Sequence, residues 1–282
     1  MGLIAFLRRV HEEYVVDLRA HADAKAGPSP AADRQMVIVV MTVMACLILM
    51  RFYGSGSHLK YPIQLLRDVG LSGWSDALRS ALLTGPDQQF NRKIFWAAAR
   101  VVGYVVVPFT VAGLALRGPG APSFRELFGL ETRQFFRHVR AYLLMLAVIM
   151  PFVVGASFTS AFQAKYPFYR LHPGEGIWPW FVAWEVLYAL QFLSLEIFYR
   201  GFMVHGLKPR LGHASIFVMM IPYMMIHFGK PLPECIGSIV AGFVLGTMSL
   251  KSGAVWWGAI LHVVVAVTMD LLSLYHQGLL SL

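Results

Sequence analysis

The chain has 282 residues, 57% of them hydrophobic and 14% charged, with a mean hydropathy of +0.59, whereas soluble domains carry about 25% charged residues, so a water-soluble domain is excluded. The two cysteines, Cys46 and Cys235, rule out a disulfide scaffold and any Cys-rich zinc or iron–sulfur site. The net charge of +9 suits basic loops beside anionic lipid; the Lys and Arg residues are scattered between apolar runs and form no stripe for nucleic acid.

Residues 1–35 read as an amphipathic cytoplasmic segment that ends in a linker at 26–33. Its charges follow the first apolar residues, which is not the order of a signal peptide. Apolar segments then fall at about 36–52, 94–116, 139–162, 177–203, 213–228, 235–250 and 253–275. A crossing needs roughly 20 residues; the fifth and sixth segments are short and count through their neighbours. The expectation is an all-α, polytopic transmembrane helical bundle of about seven membrane helices, within a range of six to eight. Residues 36–176 form its N-terminal helices and loops, 177–275 a helical core, and 276–282 a tail. Arg117, Arg125, Arg133, Arg137 and Arg140 crowd the loop after the second segment, against Lys165 and Arg170 after the third. The positive-inside rule then places the N-terminus in the cytoplasm, most simply of a bacterium's inner (plasma) membrane. Trp178, Trp180 and Trp184 are expected in the outer aromatic belt.

Ionisable side chains inside a span are costly and mark function. Six occur in the second half: Glu185, Glu196, Arg200, His227, His262 and Asp270. Helical rise from the proposed cytoplasmic boundaries puts Glu196 about 18 Å deep, His227 about 21 Å and His262 about 16 Å. Three helices thus bring a carboxylate and two imidazoles to one level. A carboxylate can take a proton from water while imidazoles orient that water or polarise a carbonyl; the same trio suits a divalent metal such as zinc with one position open. Arg200, one turn after Glu196, would keep the carboxylate ionised. Glu185, Lys230, Glu234 and Asp270 are expected in a second polar layer, with Lys230 in a structural pair. His205 and His213 are expected near solvent.

These residues stand in three stretches, LEIFYRGF (195–202), PYMMIHFGKP (222–231) and LHVVVAVTMD (261–270). They resemble the motifs EExxxR, (F/Y)xxxH and HxxxN of the CPBP family, which comprises type II CAAX prenyl endopeptidases and bacteriocin-processing and immunity-linked proteins. By that resemblance Glu196 is the second motif Glu, Arg200 the motif arginine, Tyr223 and His227 the second motif and His262 the third. It implies an intramembrane protease, glutamic or metal-dependent, in which a motif Glu activates water and His and Asn residues bind the oxyanion. Two positions depart from the pattern: Leu195 replaces the first Glu, and Ala266 the Asn.

The sequence therefore points to an intramembrane endopeptidase that cleaves a membrane-tethered or lipid-anchored peptide. Glu196 is expected as general base, His227 and His262 as its partners, and Arg200, Tyr223, Glu185, Glu234 and Asp270 in support. In a metal-dependent variant Glu196, His227 and His262 would be the ligands. Leu195 and Ala266 favour the alternative, a non-catalytic membrane protein of the same fold with an immunity or peptide-binding role. A transporter is disfavoured by the lack of paired repeats.

Overall fold

The computed structural model describes residue 8 and residues 11–118, 121–133, 135–171 and 175–280. The opening of the expected N-terminal segment (1–7, 9 and 10) and the last two residues of the tail lie outside them. Ten helices carry the architecture: α1 (Asp17–Ala24), α2 (Pro30–Phe52), α3 (Lys60–Asp68), α4 (Ser72–Arg79), α5 (Gln88–Ala115), α6 (Val139–Ser157), α7 (Trp180–Leu211), α8 (Ala214–Met225), α9 (Leu232–Ser252) and α10 (Trp256–His276). Six of them, α2, α5, α6, α7, α9 and α10, are long and apolar enough to cross a membrane, and α8 is a shorter apolar helix. The protein is an integral membrane protein built as a polytopic helical bundle, and no strand forms among the described residues.

Helix boundaries follow local chemistry. The Ser29 hydroxyl accepts the Ala32 N–H at 3.1 Å and Pro30 opens the first turn, a preferred start because proline lacks only an N–H that has no partner there. The linker expected at 26–33 is therefore shorter, and α2 begins inside it. Gly253, at φ +68°, ends α9 in the left-handed conformation that glycine adopts freely.

The centre of the bundle is α7, whose second half, from Ser194 to Val204, is buried without interruption, while Val182, Val186 and Leu190 of its first half are exposed. It packs against α2, α5, α8, α9 and α10. From Ile197 to Met203 its hydrogen bonding widens into a π-helix, and the main core forms around that stretch, with Tyr104, Phe128, Phe198, Tyr199, Phe202 and Leu207 all buried. The basic loop after α5 does not stay at the surface. A capping box between Ser123 and Glu126 nucleates a short helix, which delivers Phe128 onto the rings of Phe109 and Phe202. Gly201 permits this approach, because a Cβ there would run into the Phe128 carbonyl.

Trp178 and Trp180 are 76% and 42% exposed, as an interfacial belt requires. Trp184 departs from the expectation: it is fully buried, stacked on Tyr188 and tilted against Trp96, because α5 covers that side of α7. At the other end of the bundle Lys251 holds Glu13 at 2.7 Å and sits 3.5 Å over the Tyr14 ring, tying the N-terminal segment to α9.

Gly201→Ala should cost about 1–3 kcal/mol, the usual penalty of overpacking. The thermal transition of the purified protein in detergent measures it, and an unchanged transition would show that the Phe128 loop does not seat here. The Lys251 bond lowers the Glu13 carboxyl below its ordinary value, so the tie is present at neutral pH and lost as pH falls through the lowered value. Hydrogen exchange of residues 17–24 should quicken only on acidification, while stability changes by less than about 1 kcal/mol at so exposed a pair.

Candidate active site

Glu196 is the last residue of α7 before the π-helical stretch, and Arg200 lies within that stretch. Widened turns of this kind are frequent at functional sites, though α5 carries one at Val102–Val106 as well. Both side chains are fully buried, with Arg200 Nη1 3.0 Å from Glu196 Oε1. Nη1 is off the hydrogen-bond directions, so the contact is chiefly an ion pair. The guanidinium also lies 3.8 Å over the ring of Tyr223, a cation–π contact strengthened by the absence of water. The Arg200 backbone is held from behind: its carbonyl accepts the Ser249 hydroxyl at 3.0 Å, and Ser249 Oγ lies 3.1 Å from His205 Nε2. His205, half-buried, is thus a structural group and not a solvated one, and His213 is buried.

α10 supplies His262. Its Nδ1 lies 2.7 Å from Glu196 Oε1, and its Nε2 lies 3.1 Å from the Tyr223 hydroxyl. A carboxylate can only accept, so Nδ1–H donates to Glu196, and the bare Nε2 accepts from Tyr223 O–H. Phe192 stacks on the imidazole at 5.2 Å. His262 keeps 16% of its side chain exposed, against 1% for Glu196, so this site meets the outside through the histidine.

His227 stands just past the end of α8, in the turn that leads back to α9. Its Nδ1 donates to the Tyr223 carbonyl at 2.8 Å. That bond fixes the tautomer and leaves Nε2 as a free lone pair on a half-buried ring. His262, Arg200 and His227 therefore gather around Tyr223, at its hydroxyl, on its face, and at its backbone and ring edge respectively, and Glu196 joins the group through His262 and Arg200. As for a metal, no group of three His, Cys, Asp or Glu side chains among the described residues is placed to hold an ion. Both nitrogens of His262 are engaged within the protein, so in this arrangement Glu196, His227 and His262 do not offer three converging donors.

Glu234, Asp270 and Glu185 belong to a separate polar layer. Lys230 pairs with Glu234 at 2.9 Å, and Tyr166 O–H donates to Glu234 and accepts from Lys230, each at 2.7 Å. Asp270 accepts the Phe168 N–H at 3.2 Å. Glu185 does not join Glu196: its carboxyl is buried beside that of Asp270. The two positions that depart from the motif pattern are both packed among apolar side chains. Leu195 lies in the main core, and Ala266 lies in the cluster with Trp184 and Tyr188.

Gly258 is a site residue that the sequence reading missed. A Cβ there would come within 2.8 Å of Glu196 Oε2, so the bare Cα of α10 makes room for the carboxylate. The signal was available, since a glycine one turn before His262 shares its helix face.

Residues 177–268 match the family model described as Type II CAAX prenyl endopeptidase Rce1-like. The match agrees with the motif resemblance and falls on the same stretch, α7 to α10; everything before residue 177 lies outside it. No curated protein and no solved structure matches the chain.

Tyr223→Phe should cost about 0.5–1.5 kcal/mol for one lost hydrogen bond, whereas Tyr223→Ala, which also strips the ring from under Arg200, should cost about 3–5 kcal/mol. Equilibrium unfolding in detergent compares them, and equal losses would show that Arg200 draws nothing from the ring.

Proposed function

We propose that the protein is an intramembrane endopeptidase acting on a membrane-tethered or lipid-anchored peptide, in a bacterial plasma membrane with its N-terminus in the cytoplasm. The observation that supports this most is the His262–Glu196–Arg200 line at 2.7 and 3.0 Å, with His227 Nε2 free beside it. Glu196 is too enclosed to meet substrate directly, so its charge acts through His262. His227 Nε2 takes the proton of the attacking water as that oxygen bonds the scissile carbonyl carbon. The Tyr223 hydroxyl turns from His262 Nε2 to the developing oxyanion and donates to it, while Glu196 holds the neutral His262 ring in place through its Nδ1–H. The proton on His227 then passes to the amide nitrogen as the C–N bond breaks. In this scheme residues 36–176 are the scaffold, and 177–275 carry the chemistry. The family-model match makes a peptide with a lipidated cysteine near its C-terminus the first substrate to test.

A second reading has a specific observation in its favour. Leu195 and Ala266 are packed as core residues, and Glu196 has no exposure, which also suits a protein that binds such a peptide without cutting it.

The test is release of the C-terminal fragment from a farnesylated peptide by the purified full-length protein in proteoliposomes. His227→Ala should retain the fold and lose at least about a hundredfold in rate, and Glu196→Gln should lose as much with a lowered thermal transition, since Arg200 is left without its counter-ion. Combining His227→Ala with His262→Ala should cost far less than the product of the two losses, since groups acting as a unit are non-additive. Peptide binding by the wild type without any cleavage would replace the protease with the binding protein.

A further inference from the structure

A cavity of about 530 Å3 opens well away from the Glu196 site, at the end of the bundle that carries the 53–87 connection. Its volume lies in the range of small-molecule sites. One wall is polar, formed by Gln88, Gln89, Arg92 and Lys93 at the start of α5; the other is aromatic, formed by Trp96, Phe168 and Trp184.

The two cations have unspent charge. Arg92 Nε donates to the Leu82 carbonyl at 2.5 Å, and Lys93 Nζ to the Phe168 carbonyl at 2.5 Å. Neither takes part in an ion pair among the described residues. Lys93 also lies 4.9 Å from the ring centre of Phe168 and 5.0 Å from that of Trp184. The acidic groups nearby form no ion pair with them: Asp270 accepts the Phe168 N–H and acts on Lys93 from beyond ion-pair distance, Glu175 takes the Tyr169 hydroxyl, and Asp87 is exposed at the N-cap of α5. An anion in the cavity would complete both cations.

The surroundings indicate the form of that anion. Trp178 and Trp180 mark this end of the bundle as an interfacial level. Beside it, α3 and α4 are short helices with Tyr61, Leu65 and Trp74 exposed, the pattern of helices lying in a headgroup layer. We propose that the cavity binds the phosphate of an anionic phospholipid, held by Arg92 and Lys93, with the glycerol region against Trp96 and Phe168.

The experiment is native mass spectrometry of the full-length protein released from nanodiscs of phosphatidylcholine mixed with phosphatidylglycerol, together with thermal scans in detergent with inorganic phosphate. The wild type should retain phosphatidylglycerol in preference to phosphatidylcholine. Arg92→Gln and Lys93→Gln should each cut that preference by about tenfold, while Arg92→Lys keeps most of it and Lys60→Gln, outside the cavity, keeps all of it. If Lys93→Gln misfolds through loss of the Phe168 anchor, the Arg92 pair decides alone. Equal retention by wild type and Arg92→Gln would overturn the site. Stabilisation of the wild type by inorganic phosphate, absent in Arg92→Gln, would overturn the lipid assignment in favour of a free phosphate.

Discussion

The arrangement around Glu196 rests on one constraint: a carboxylate and a guanidinium, both without solvent, must satisfy each other inside an apolar bundle. A buried pair repays its desolvation only when further partners take up the remaining charge. Here the partners close into a ring, in which Arg200 faces Glu196, Glu196 receives His262, His262 receives the Tyr223 hydroxyl, and the Tyr223 ring lies under Arg200. Each member sets the orientation or tautomer of the next. Removing any one leaves a charge or a polar atom stranded in the interior, which explains why so much of the fold converges on these four side chains.

The first half of the chain contributes no member of that ring, yet the ring depends on it. Tyr104 from α5 packs on Phe198 and Tyr199, and Phe128 seats on Gly201. These contacts clamp the π-helical stretch that carries Arg200. The segment that resembles an endopeptidase family is thus held in shape by a segment that does not.

Much of this was legible in the sequence. Apolar length located the spans, and charges inside them located Glu196, Arg200, His227 and His262, because a costly residue in a membrane announces itself. The Glu196–Arg200 pair followed from helical spacing alone. What could not be read were features set by tertiary contact. The π-helical widening has no local signature, since Ile197–Met203 is an ordinary apolar run. Trp184 looked like a belt residue until α5 covered it, and His205 looked solvated until Ser249 met it. The enclosure of Glu196, which passes its role through His262, depends on Gly258 of another helix, and no periodicity within α7 reports on that.

The brevity of α8 acts on the lipid as well as on the protein. Its 12 residues rise about 18 Å, while the hydrocarbon core is about 30 Å thick. One side of it, Phe217, Ile221 and Met225, followed by Phe228 in the turn, is exposed and offers lipid an apolar wall roughly 12 Å too low. Past that wall the backbone is no longer helical, and its N–H groups are met by turn bonds such as Phe228 N to the Met225 carbonyl at 3.2 Å and Lys230 N to the His227 carbonyl at 3.0 Å, as a membrane interior demands. A bilayer accommodates a short hydrophobic surface by thinning against it. By that response the leaflet next to His227 would be dimpled, and an elastic deformation of the membrane would then belong to the surroundings of the site.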